Sequence, residues 1–202
     1  MDARQAARDL EVIRTLMERT CQYQLLTARA GLAAGSLAVV GSVLLWLGDW
    51  PGPIPFGVVW GLVFLGSLLA TWLGTVARGR QRGERVWSRQ ARAVVLALAP
   101  SLLAAGVLSV FFFARGMYLW LPGVWMLCYG QGALATAAYA PRPICWLGAA
   151  FLGLGALTLA LGPDWSVPMM GLAFGLGHIG LGVVLLLAER RQGAVRLHRF
   201  VA

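Results

Sequence analysis

The residue with the widest chemical repertoire in the apolar part of this sequence is His178, which lies in the stretch FGLGHIGLG. Gly171 and Gly175 precede His178 by seven and three residues, and Gly182 follows it by four residues. At this spacing all four residues share one helical face. Glycine faces let neighbouring helices approach closely. His178 is therefore expected to face other helices, where a neutral imidazole needs a hydrogen-bond partner.

A second polar residue, Gln131, lies in the stretch CYGQGALA and is the predicted partner of His178. Cys128 and Ala135 share its helical face, and Tyr129 is a further donor on the same segment. We predict that His178, Gln131, Tyr129 and Cys128 form a small polar site inside a helical bundle. The sequence leaves two roles open for this site, which are a hydrogen-bonded contact between helices and the lining of a ligand pocket.

Other site chemistries find few candidate residues. The central portions of the apolar segments contain no Asp, Glu or Lys, which argues against a carboxylate-based ion pump and against paired acids for general acid–base catalysis. The three cysteines show no C-x-x-C spacing, so neither a metal site nor a catalytic residue is predicted, and an enzyme is the less favoured class. The other histidine, His198, lies in the charged tail, which excludes bis-histidine haem ligation within one chain. No cofactor is predicted, and haem and quinone remain minor alternatives.

The composition indicates that lipid surrounds these segments. Of the 202 residues, 59% are hydrophobic and 12% are charged, and the mean hydropathy is +0.72. A soluble domain is about half apolar and about a quarter charged. Segments of about 20 apolar residues can cross a bilayer, and six are predicted: Leu25–Leu47, Pro55–Ala77, Ala93–Ala114, Met117–Tyr139, Ile144–Leu161 and Met169–Ala188. The expected fold is an all-α, polytopic membrane protein with a six-transmembrane-helix bundle.

Arginine is unevenly distributed between the loops. The net charge is +9, and the cations cluster before the first segment, between the second and third, and after the sixth, whereas the opposite loops hold Asp49, Asp164 and the single Arg115. The positive-inside rule therefore places both termini in the cytoplasm, and a bacterial inner membrane is expected. Because the arginines flank apolar segments, nucleic acid is rejected as a partner. Anionic lipid headgroups are the predicted partners of six arginines, which are Arg78, Arg80, Arg82, Arg85, Arg89 and Arg92.

Three parts of the chain are distinguished. Residues 1–24 are predicted to form an amphipathic helix at the cytoplasmic interface, since their apolar residues recur at helical spacing opposite charged ones. Residues 25–188 form the transmembrane domain, and residues 189–202 form a basic cytoplasmic tail. Each outer loop has a Trp followed closely by a Pro, which is compatible with three similar helical hairpins.

Three stretches of the sequence carry a resemblance. DLEVIRTLMERTCQYQLLTARAGLAAG reads as a short charged helix that runs into a Gly-rich first span, and PRPICWLGAAFLGLG and FGLGHIGLGVVLLLAERR form the fifth and sixth spans. In these stretches the chain resembles an uncharacterised family of small six-helix bacterial integral membrane proteins, with the histidine in the last span. It departs from the family's pattern at Thr20 and Cys21, where the family has a Ser/Thr pair. The resemblance implies a six-helix membrane protein and supplies no activity.

Three function classes follow from these observations. The first is a non-enzymatic membrane protein that binds a small apolar or amphipathic ligand in a sensory, regulatory or transport role. The second is a transporter substrate-binding subunit, similar in size and topology to those of energy-coupling-factor importers, which requires a cytosolic protein partner. The third is an accessory subunit of a larger membrane complex, whose partner is another membrane protein.

Overall fold

Six helices make up the part of the chain that the computed structural model describes, which is Gln5, residues 27–48 and residues 52–201, with backbone alone over 192–201. No strand occurs among these residues. The helices are α1 Ala28–Leu47, α2 Pro53–Arg82, α3 Arg89–Ala114, α4 Leu121–Ala135, α5 Arg142–Leu161, and α6, which comprises α-helical Ser166–Met170, π-helical Gly171–Leu176 and α-helical Gly177–Val201. The predicted all-α class is confirmed for this part of the chain. The predicted helix of residues 1–24 lies, apart from Gln5, outside the described residues.

The helix ends coincide with local sequence signals. Thr27 accepts a hydrogen bond from the Ala30 N–H at 3.2 Å, and Ser88 accepts one from the Ala91 N–H at 3.1 Å, so α1 and α3 begin at side-chain caps. Prolines occupy the first turns of α2, α4 and α5, where a missing N–H costs no helical hydrogen bond. α2 ends at Gly83, whose φ of 65° is left-handed. These signals set where the apolar segments enter and leave the bundle.

Five helices are long and apolar enough to cross a membrane, and they are Ala28–Leu47, Pro53–Arg82, Arg89–Ala114, Arg142–Leu161 and, with its preceding turn, Pro163–Arg191. α4 differs, because its 15 residues extend about 22 Å against about 30 Å of hydrocarbon. It ends at Ala135, and hydrogen-bonded turns of residues 136–140 lead to Pro141 before α5. The predicted fourth span, Met117–Tyr139, is therefore only partly α-helical. The described residues contain five helices of membrane-spanning length rather than the six predicted.

Two antiparallel helix pairs make the closest contacts. α1 packs along α6, where a Cβ atom at Gly35 would lie 2.6 Å from the carbonyl oxygen of Gly175. α4 packs along α5, where a Cβ atom at Gly130 would lie 2.7 Å from the carbonyl oxygen of Gly148. Glycine is needed at both crossings because a side chain would collide with the facing backbone. α2 packs on α1 and α3 packs on α4, which gives two groups of three helices.

The two groups meet through an apolar core and through aromatic contacts at one end of the bundle. Met126 and Phe151 lie in the core and are 0% and 1% exposed. At the end opposite the arginine-rich loop, the ring of Phe56 on α2 lies 6.4 Å from Phe113 on α3 and 5.4 Å from Tyr118, between centroids. Elsewhere the backbones of α2 and α3 approach each other at few of the described positions. These consecutive helices are therefore separated over much of their length.

Side chains of α4 reach into the space between α2 and α3. The ring centroid of Trp125 lies 5.7 Å from that of Phe64 on α2, and its indole N–H donates to Ser109 Oγ on α3 at 2.9 Å. α5 and α6 are joined by a short turn but pack mainly against α4 and α1 respectively. The predicted hairpin of α5 and α6 is therefore packed differently from the hairpins of α1 with α2 and of α3 with α4.

Candidate functional site

His178 is fixed by two hydrogen bonds, one to α4 and one within α6. Its Nε2 lies 2.8 Å from the Tyr129 hydroxyl oxygen, and its Nδ1 lies 2.9 Å from the carbonyl oxygen of Phe174. A carbonyl oxygen can only accept, so in the neutral imidazole Nδ1 carries the proton and Nε2 accepts the hydrogen bond from Tyr129. We call these three groups the histidine joint.

The π-helical segment of α6 lies directly before His178. A π turn replaces the usual bond between residues four apart with one between residues five apart, and the Gly177 N–H accordingly donates to the Leu172 carbonyl. Phe174, whose carbonyl accepts from the His178 ring, belongs to this segment. Single π turns inside α-helices occur frequently at functional sites. The backbone irregularity and the histidine joint therefore coincide in one stretch of α6.

Aromatic rings surround the histidine joint. The Phe151 centroid lies 4.9 Å from Tyr129, 4.7 Å from Phe174 and 5.7 Å from His178, and the last two contacts are edge-to-face. The ring of Phe174 lies nearly parallel to the imidazole, at 10° and 6.0 Å. Phe151 is buried, whereas the other three rings are partly exposed. The joint thus connects α4, α5 and α6 through both polar and aromatic contacts.

Gln131 does not take part in the histidine joint. It stands two residues after Tyr129, so the two side chains point about 200° apart around α4. Gln131 is exposed, and no described residue forms a hydrogen bond with its amide. Cys128, which shares the helical face of Gln131, is half-buried. The predicted pairing of Gln131 with His178 is therefore wrong, and Tyr129, the other donor named from the sequence, is the partner.

Trp60 on α2 carries the one buried side-chain polar atom of the described residues that has no hydrogen-bond partner. The side chain is 9% exposed and belongs to the same core cluster as Phe56, Met126 and Phe151. An indole N–H can only donate, and Trp125 shows the usual arrangement, since its N–H donates to Ser109. Sequence reasoning missed Trp60, because nothing in the stretch VVWGLVF distinguishes an inward tryptophan from one facing lipid.

A line of polar residues runs from Trp60 along α2. Ser67, Thr71, Thr75 and Arg78 follow at 7, 11, 15 and 18 residues, which places all of them within about 60° of one helical face. Thr75 is 6% exposed, and the Thr71 hydroxyl donates to the Ser67 carbonyl at 2.8 Å. This face of α2 is therefore turned inward, and its hydroxyl groups span about two turns that begin about two turns after Trp60.

Arg78 differs from the other five arginines predicted to contact lipid headgroups. Its guanidinium forms an ion pair with Glu189 on α6, and its side chain is 15% exposed. The remaining five are exposed near the arginine-rich loop, and they are Arg80, Arg82, Arg85, Arg89 and Arg92. Arg78 thus ties α2 to α6 across the start of α1, whereas lipid contact by the exposed five stays a prediction.

Metal and haem chemistry find little support in the described part of the chain. No group of three or more His, Cys, Asp or Glu side chains comes together there. His178 could offer iron only Nε2, because Nδ1 is protonated and faces a carbonyl, and Nε2 is already engaged by Tyr129. Iron ligation would have to displace that hydrogen bond.

Comparison with known proteins adds no assignment. No protein-family model, curated protein or solved structure matches the chain at a significant level. The resemblance noted from the sequence therefore stays a prediction, and function has to be argued from the geometry of the bundle.

Proposed function

We propose that this chain is a multi-pass membrane protein that binds a small amphipathic molecule within its helical bundle, in a sensory, regulatory or transport role. The observation that carries the proposal is the buried indole N–H of Trp60, which has no partner among the described residues. Leaving such a donor unpaired in an apolar medium costs about 1–3 kcal/mol. A bound molecule with a carbonyl or ester oxygen would remove this cost by accepting the hydrogen bond.

The separation of α2 and α3 supports a lateral route for such a ligand from the bilayer. The two helices meet at Phe56 and Phe113, and Trp125 lies between them further along. Beyond Trp125, towards the arginine-rich loop, the inward face of α2 carries Ser67 and Thr71. A molecule with an apolar chain and a polar group could therefore enter between the helices and find both apolar and hydroxyl contacts.

A six-crossing topology in a bacterial inner membrane, with both termini in the cytoplasm, is part of the proposal. α4 packs antiparallel to α5 and also lies along α3, which supports a sixth crossing despite its short helix. With six crossings, the loop of residues 83–88, the start of α5 at Arg142 and Arg190 of α6 all lie on one side. This distribution agrees with the positive-inside rule.

Ligand retention is the direct test of the proposal. The wild-type protein, extracted in a mild detergent, is analysed by native mass spectrometry together with liquid chromatography of its organic extract. The matched variants are Trp60→Phe and Trp46→Phe, because Trp46 lies on α1 with 64% exposure. We expect a bound molecule in the wild type and in Trp46→Phe. Loss of this hydrogen bond should weaken binding to Trp60→Phe by about five- to 150-fold, which lowers the occupancy.

Two results would contradict the proposal. One is a wild-type protein that carries no small molecule even when extracted in native lipid discs. The other is a retained molecule whose occupancy is the same in Trp60→Phe and Trp46→Phe, since such a molecule does not use the Trp60 N–H.

A further inference from the structure

In the six-crossing topology proposed above, on which this inference rests, α4 crosses the membrane and the exposed amide of Gln131 lies deep within the bilayer. It stands nine residues after Pro122 at the start of α4, which is about 13 Å along the helix axis and near the middle of a bilayer. The amide is exposed and has no hydrogen-bond partner in the described part of the chain. A polar group that faces hydrocarbon is costly, so a partner outside this chain is indicated.

Exposed alanines of α4 and α5 lie on the same side of this helix pair as Gln131. Ala135, one turn further along α4, is exposed. On α5, Ala149 is exposed and stands two residues before the inward Phe151, just as Gln131 stands two residues after the inward Tyr129. The close crossing at Gly130 brings the backbones of α4 and α5 together next to Gln131. Small residues beside a polar one are typical of helix contacts within membranes.

We propose that a second copy of this chain covers this surface, with Gln131 of each copy near a twofold axis along the membrane normal. An amide is both donor and acceptor, so two glutamine side chains can bond to each other reciprocally. Copies inserted in the same orientation hold Gln131 at the same depth, and a twofold axis brings like residues together. Any other membrane protein would need a matching polar group at that depth.

Dimerisation in liposomes tests this inference. Fluorescently labelled protein is diluted over a range of protein-to-lipid ratios, and single-molecule photobleaching counts the subunits. We expect the wild-type protein to form dimers. Gln131→Leu, which replaces the amide with an apolar side chain of similar size, should weaken the dimerisation constant roughly tenfold. Gln131→Asn should weaken dimerisation less. Leu62→Ala, a change on the exposed face of α2 at 65% exposure, should have no effect.

Disulfide trapping locates the interface. In a variant whose native cysteines are replaced by serine, Ala135→Cys should form a dimer on oxidation in native membranes, whereas Leu62→Cys should not. Three results would overturn the inference: wild-type monomers at every dilution, equal constants for wild type and Gln131→Leu, or a different protein that co-purifies only while Gln131 is present.

Discussion

Removal of the Tyr129 hydroxyl measures how much the histidine joint stabilises the contact between α4 and α6. Tyr129→Phe keeps the ring, which contacts Phe151 at 4.9 Å and Phe174 at 5.4 Å, so only the hydrogen bond is lost. His178 Nε2 then faces the interior without a donor. Interhelical hydrogen bonds in membranes contribute about 0.6 kcal/mol on average and about 1.7 kcal/mol at most. We expect Tyr129→Phe to lower the free energy of unfolding by about 1 kcal/mol.

A double-mutant cycle with His178→Phe separates the hydrogen bond from ring packing. His178→Phe removes both imidazole hydrogen bonds while preserving an aromatic ring beside Phe174. If Tyr129 and His178 are coupled through their hydrogen bond, the losses of unfolding free energy in the two single variants should together exceed the loss in the double variant by about 0.6–1.7 kcal/mol. Unfolding by SDS in mixed micelles, followed by circular dichroism, gives the four free energies.

The control for this cycle is Tyr139→Phe, since Tyr139 is 38% exposed and lies after the end of α4. It should leave the unfolding free energy unchanged. A coupling energy of zero, or a Tyr129→Phe variant as stable as the wild type, would refute the account of the histidine joint. Either result would mean that ring packing alone holds His178 in place.

Two further predictions concern stability. Trp60→Phe should raise the unfolding free energy of the ligand-free protein by about 1–3 kcal/mol, because it removes a buried donor without a partner; Trp146→Phe, at 77% exposure, should change nothing in the same SDS titration. Gly35→Ala should cost about 1–3 kcal/mol, because the new Cβ atom would lie 2.6 Å from the Gly175 carbonyl oxygen. Gly61→Ala, where the new atom meets no other atom within 4 Å, should be neutral or slightly stabilising, and a loss as large as that of Gly35→Ala would contradict the packing described for α1 and α6.

The glycine stripe of α6 shows what spacing alone can predict in a membrane helix. Gly175 and Gly182 pack against α1, so the expectation that this stripe faces a neighbouring helix is confirmed. His178 points from α6 towards Tyr129 on α4 and is likewise turned to other helices. Small side chains carry this information because close approach of two backbones tolerates few other residues.

The rotation of α4 about its own axis could not be predicted in the same way. In a soluble helix the apolar face marks the inside, but lipid is as apolar as a protein core, so hydropathy does not separate the two sides. Gln131 was expected to point inward because it is polar. The packing of Gly130 and Gly148 instead turns Tyr129 inward and Gln131 outward.

The sequence by itself determined the all-α class of the described residues and five of the six predicted apolar segments, because these follow from hydropathy, prolines and capping residues that act locally. Only the tertiary structure decided which side of each helix faces the interior, and therefore that His178 bonds to Tyr129 and that the Trp60 N–H is left without a partner. These features depend on how helices distant in the chain pack together. The π-helical segment before His178 is likewise a feature that only the tertiary structure shows, since its stretch GLAFGL carries no local signal for a wider turn.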